Sequence, residues 1–194
     1  NSGTIKATAS GTAGNATAIL DKTGTLALVR NSGSITAAGP AADSGRLVAI
    51  DLSANASGAT VRQTEVGSGF TAPSIAGDIR FGSGSDLLEV ADGTVKGNVA
   101  FGAGANRLAL SGDAVQTGNV AFGAGSDTLT LAGSSVLGGN VDFGGGADLL
   151  TLAGTSRFSG RLSNAGGLAV NVSGGTLDLT GPIAINSLTV GAAG

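Results

Sequence analysis

Fourteen residues beginning at Gly97, GNVAFGAGANRLAL, return as GNVAFGAGSDTLTL from Gly118 and as GNVDFGGGADLLTL from Gly139. This recurrence constrains the fold more than any other feature, because a fixed short period signals a chain that stacks copies of one unit. Glycines mark the beat at Gly77, Gly97, Gly118, Gly139, Gly160 and Gly181, with steps of 20, 21, 21, 21 and 21. Phe81, Phe101, Phe122 and Phe143 keep the same step. So do Leu88, Leu108, Leu129 and Leu150, and after them Val90, Leu110, Leu131 and Leu152. Ile79, Val99, Val120, Val141 and Leu162 form a further column, and Val95, Val115 and Val136 another.

Within each copy the apolar residues alternate, as Val99 with Phe101 and Leu108 with Leu110. Alternation is the period of a strand with one buried face, and the intervening Gly, Ser, Asn and Asp are turn formers. No segment carries a helical period. Three short strands per 21 residues therefore predict a solenoid in which each repeat is one turn and equivalent strands lie in parallel about 4.8 Å apart. Parallel crossovers are right-handed in nearly all cases, so the expected fold is all-β, a right-handed parallel β-helix. Residues 77–194 supply regular turns of 20–21 residues. Residues 1–76 follow a slower beat of about 30 residues: NSGTI at Asn1 returns as NSGSI at Asn31, VRNSGSI at Val29 as VRQTEV at Val61, and AILD at Ala18 as VAID at Val48. One continuous solenoid of eight or nine turns, about 40 Å long, is expected, with AAGPAADSG (37–45) as its protruding loop.

Composition narrows the chemistry. Only 12% of the 194 residues are charged, 36 are glycine, and His, Cys, Met, Trp and Tyr are absent. Without histidine the usual Ser-His-Asp triad cannot be assembled, so the nucleophile-like ADSG (42–45) reads as loop, with Asp43 and Ser44 as polar loop residues. Without cysteine there are no disulfides or thiolate ligands. Ten scattered Lys and Arg make no basic patch, and no nucleic-acid partner is expected. Aromatics at 3% offer no sugar-stacking platform, and Asp142 with Asp148 is explained by ladder and corner roles, so a polysaccharide-active enzyme is a lesser alternative. The outward pairs Leu87/Glu89, Arg107/Ala109, Thr128/Thr130 and Leu149/Thr151 are too uneven for an ice-binding threonine row.

At NSGSI, AIDLSA and the FGAGSDTLTLAG repeats, the chain resembles the C-terminal β-helical stem of autotransporter passengers, the type V secreted proteins of Gram-negative bacteria. The resemblance extends over essentially the whole chain and implies a right-handed β-helix secreted to the cell surface through the periplasm and outer membrane. It implies a C-terminal β-barrel translocator as partner in the full-length protein. For function it implies adhesion to a host or neighbouring cell, display of an effector, biofilm formation or aggregation, or a rigid stalk, with folding turn by turn that assists secretion. No catalytic motif of the family matches here, so no enzyme is expected. The opening NSGTI reads as a fragment or a mature segment. Open strand edges at the two ends favour end-to-end self-association.

One column has a chemical alternative. Asp86, Asn106, Asp127 and Asp148 each follow a Gly-x-Gly corner, and FGGGADLLTL (143–152) partly matches the glycine–aspartate nonapeptide of calcium-binding RTX β-rolls. Calcium takes carboxylate and backbone carbonyl oxygens, so Asp86, Asp127 and Asp148 are candidate ligands. Against this, Phe stands at the first glycine position of that motif and Asn106 interrupts the charges; corner N–H capping is the competing role. A second polar column, Asn98, Asn119 and Asn140 preceded by Asp78, is expected to form a ladder of stacked side-chain amides.

Overall fold

The computed structural model describes residues 1–40 and 44–191. Among them are 23 β-strands and no helix. The strands pair in parallel and are dealt in rotation to three sheets of eight, seven and eight strands. One turn comprises Thr94–Lys96 in the first sheet, Val99–Ala100 in the second and Arg107–Leu110 in the third. The next repeats it with Val115–Thr117, Val120–Ala121 and Thr128–Leu131, and each strand lies directly on its counterpart. The chain is a parallel β-helix of eight turns, a stack of about 35–40 Å. In the last turn Thr176–Leu179 of the first sheet is followed directly by Ser187–Val190 of the third.

The strands form where alternation puts one face against the lumen. In Arg107–Leu110, Leu108 and Leu110 are buried while Arg107 and Ala109 face outward. Parallel register then sets like on like: Val29, Val61, Leu88, Leu108, Leu129, Leu150 and Val170 form one unbroken buried column. Phe81, Phe101, Phe122 and Phe143 stack with ring centroids 5.0, 4.9 and 5.4 Å apart and ring planes 2°, 6° and 14° from parallel. The turn spacing imposes this arrangement, which isolated rings reach only when offset. The stack ends at Asn164, whose backbone has φ 50° and whose Nδ2 donates to Asp142 Oδ1 at 2.8 Å.

The corner glycines have a specific reason. Gly97, Gly118 and Gly139 adopt φ of 143°, 120° and 142°, and a Cβ on Gly118 would strike the carbonyl oxygen of Gly97 one turn below. Corner is stacked on corner at backbone distance, which only glycine permits.

Three expectations need correction. Val95, Val115 and Val136 do not share a column: Val95 pairs with Gln116, then Leu137 and Phe158, while Val115 and Val136 follow Thr94 on the outer face. The step from Val95 is 21 residues, not the 20 that the valines suggested, and a one-residue slip reverses the facing of a strand. Gln116 is thereby fully buried, its Nε2 donating to Gly97 O at 2.9 Å. AILD and VAID are likewise one residue out, because Ile19 pairs with Ile50. Finally, the early turns are unequal: Thr4 pairs with Ser34, but Ser34 with Ser74. The second of these turns accommodates the extra chain between Thr64 and Pro73, where Phe70 is 78% exposed. Residues 41–43, in the loop expected at 37–45, lie outside the described residues.

Leu129 is wholly buried between Leu108 and Leu150. Leu129→Ala is expected to lower unfolding free energy by about 2–5 kcal/mol in urea titrations. Thr130→Ala, one residue on and outward-facing, should stay within about 0.5 kcal/mol of the parent.

Candidate functional site

The corners leading into the third sheet run from the Phe stack to the strands that begin at Leu87, Arg107, Thr128 and Leu149. Asp86, Asn106, Asp127 and Asp148 each immediately precede one of those strands. Register therefore stacks them one above another, bounded by Ala59 below and Leu168 above. All four are buried, with at most 3% of their surface exposed.

Each side chain reaches back toward the preceding turn. Ala59 N–H donates to Asp86 Oδ1 (2.7 Å), Asp86 N–H to Asn106 Oδ1 (3.0 Å), Asn106 N–H to Asp127 Oδ1 (2.7 Å) and Asp127 N–H to Asp148 Oδ1 (2.9 Å). The corner-capping role is thus met by one oxygen of each residue, and buried backbone donors that sheet pairing leaves over are satisfied. The other oxygen differs. Asn106 has an amide there, and Nδ2 donates to Gly104 O (2.9 Å) and Ala103 O (3.3 Å) of its own corner. Oδ2 of Asp86, Asp127 and Asp148 is buried and receives no donor. Burial pushes all three carboxyls above the ordinary carboxylate range, and Asp148 adds like-charge repulsion at Asp127.

The calcium alternative can be tested on this geometry. Asp127 and Asp148 occupy adjacent turns, but Asn106 separates Asp86 from them, and every Oδ1 is already committed to an N–H. Among the described residues no three Asp, Glu, His or Cys side chains gather around a point that could hold a metal ion.

Asp21 shows the opposite corner chemistry. Its Oδ1 accepts from Thr23 N–H, Thr23 Oγ1 and Gly24 N–H, each at 3.0 Å, and its Oδ2 accepts from Leu26 N–H at 2.8 Å. The Leu26 bond is the largest influence, and together these donors hold the carboxyl below its ordinary value.

The Asn98 column exists, but its bonds run from backbone to side chain. Asn98 N–H donates to Asp78 Oδ1, Asn119 N–H to Asn98 Oδ1, Asn140 N–H to Asn119 Oδ1 and Arg161 N–H to Asn140 Oδ1, at 2.9–3.1 Å. These side chains reach forward to the following turn, opposite in sense to the Asp86 column. The ladder of side-chain amides lies elsewhere: Asn1 Nδ2 donates to Asn31 Oδ1 (3.0 Å) and Asn31 Nδ2 to Gln63 Oε1 (3.1 Å). The echo of VRN in VRQ was its available signal, since Asn31 pairs with Gln63.

Two grooves mark the outer surface. One, about 440 Å³, has Gly77, Gly97 and Gly118 along it, with Asp78 and Lys96 at its sides. The other, about 660 Å³, is flanked by hydroxyls of Thr4, Ser34 and Ser74 and by the Phe70 ring. Asp43 lies outside the described residues, and Ser44 Oγ accepts from Arg46 N–H at 3.3 Å. Asp142 Oδ1 accepts from Gly144 N–H and Asn164 Nδ2.

Searched against protein-family models, curated proteins and solved structures, the chain matches none of them.

For Asp21 the direction with pH follows from its lowered pKa. Its contribution to stability is present above the unfolded value of about 3.9 and is lost as pH falls through the folded value. Asp21→Asn should be less stable than the parent at neutral pH, and the difference between the two should shrink as thermal melts are taken to progressively lower pH.

Proposed function

We propose that this chain is a structural segment, a rigid β-helical stalk from the surface-exposed passenger of a Gram-negative autotransporter. The observation that carries the reading is the parallel stacking of three sheets, two of them through all eight turns and the other through seven, around an apolar core that runs along the stack. Such an object resists bending because each inner turn is hydrogen-bonded and packed to the turns on either side of it. Its sparse charge, with 13 acidic and 10 basic residues in 194, suits a spacer better than a nucleic-acid binder. The sequence resemblance supplies the secretion route and the β-barrel partner.

Turn-by-turn folding fits the same architecture. One turn buries about five apolar side chains, each worth roughly 1.5–3 kcal/mol, and does so only against a turn already in place. Folding on the far side of a membrane would then draw chain outward and oppose its return. The adhesive part of the reading draws on the exposed Phe70 ring beside the hydroxyl-lined groove, the one large aromatic contact on the outside among the described residues.

In a secretion assay with a β-barrel translocator fused after Gly194, Leu129→Asp with Leu150→Asp should slow surface appearance severalfold. Thr130→Asp with Thr151→Asp, on the outer face of the same strands, should not. Equal secretion of the two double variants would remove the folding-driven part of the proposal.

A further inference from the structure

In three corners of the stack a buried oxygen stands without a donor, and in the fourth the same place is taken by a hydrogen-bond donor. That contrast decides what the oxygens are. Asn106 and its three acidic neighbours share one register, one burial and one Oδ1 contact to the preceding turn. In Asn106 the second terminal atom is Nδ2, turned toward the carbonyl oxygens of Gly104 and Ala103. The equivalent carbonyls are those of Gly84 and Ser83 for Asp86, Gly125 and Ala124 for Asp127, and Gly146 and Gly145 for Asp148. With its corner carbonyls placed as those of Asn106 are, an ionised Oδ2 would set a negative oxygen against carbonyl oxygens out of reach of water, an unfavourable arrangement. A protonated one would donate as the asparagine does.

We propose that Asp86, Asp127 and Asp148 are carried in the folded stack as neutral carboxylic acids, each Oδ2–H donating to the backbone carbonyls of its own corner, so that the column is a site for three bound protons.

The surrounding charges agree with a proton as the occupant. Among the described residues no lysine or arginine is buried. Arg107, the basic residue next in chain to the column, is exposed on the outer face, and the Arg62–Glu89 pair (2.7 Å) lies outward on the third sheet. Asp142, across the Phe143 corner, is held by Gly144 N–H and Asn164 Nδ2. Ala59 and Leu168 close the two ends without charge, leaving Asp148 as the acidic neighbour of Asp127 from the turn above. A cation would need to displace Oδ1 from an N–H or to sit among corners stacked at backbone contact.

The consequence is a fold with an inverted response to acid along this edge. Folding raises the carboxyl pKa values, so the folded state binds these protons more tightly than the unfolded chain does. The stabilisation is complete below the unfolded value of about 3.9 and is lost as pH rises through the raised folded values. Asn106 is the position already made insensitive.

The test is infrared spectroscopy and urea unfolding of the full chain, in EDTA and then in calcium chloride. At neutral pH the parent should show a protonated-carboxyl C=O band that shifts in heavy water and shrinks in Asp127→Asn. As pH rises above the unfolded value of about 3.9, the unfolding midpoint of the parent should fall. At about pH 8 Asp127→Asn should unfold with an equilibrium constant roughly tenfold smaller than the parent, and Asn106→Asp should steepen the fall. The infrared band of the parent decides the matter even if a variant fails to fold. Absence of that band at neutral pH overturns the proposal. So does calcium raising the parent's midpoint at about pH 8 but not that of Asp127→Asn, which would assign Oδ2 to a metal ion.

Discussion

Everything in this molecule answers to the distance between one turn and the next. At about 4.8 Å, a side chain has its own counterpart above and below as nearest neighbours. Where phenylalanine recurs it lies on phenylalanine with planes nearly parallel, as Phe81, Phe101, Phe122 and Phe143 do. Leu108, Leu129 and Leu150 likewise lie one on another. The same constraint removes Cβ atoms from Gly97, Gly118 and Gly139, where backbone crosses directly over backbone. The 21-residue repeat is the imprint of that spacing on the chain.

Polar groups obey the same rule under harsher terms. Like charges stacked one turn apart would repel in a medium that screens poorly. The fold meets this in three ways. Asn31 donates its amide N–H to the Gln63 side-chain oxygen one turn on, Asn98 and Asn119 give oxygens to the backbone of the following turn, and the acidic column interposes Asn106 among its carboxyls. Asp21 is the contrasting case: four donors at its corner, the Leu26 N–H foremost, hold its pKa down although burial alone would raise it.

Sequence pattern was most legible where the repeat was nearly identical. From Ile79 to Leu152 the Phe, Leu and sheet-two columns follow from counting, because glycine corners of constant length hold the register. It failed where one corner changed by a residue. Val95, Val115 and Val136 looked alike, but the corner after Asp92 is one residue shorter than its successors relative to the strand, and Gln116 took the buried place. A glutamine inside was invisible to a rule that equates lumen with apolar. The polar columns were readable as columns, since spacing alone reveals them. What each atom bonds to was not, because side-chain reach, back for Asp127 and forward for Asn119, is set by backbone geometry at the corner.

Those opposite reaches give the stack a polarity that no single turn possesses. Divide it between the turns of Asp127 and Asp148, and the lower piece presents an N–H at Asp127 and an oxygen at Asn119. The upper piece presents an oxygen at Asp148 and an N–H at Asn140. The two cut faces are complementary, plug to socket at two separate corners, and turning either piece over destroys the match. Direction along the rod is thus written into its edges as well as its sheets.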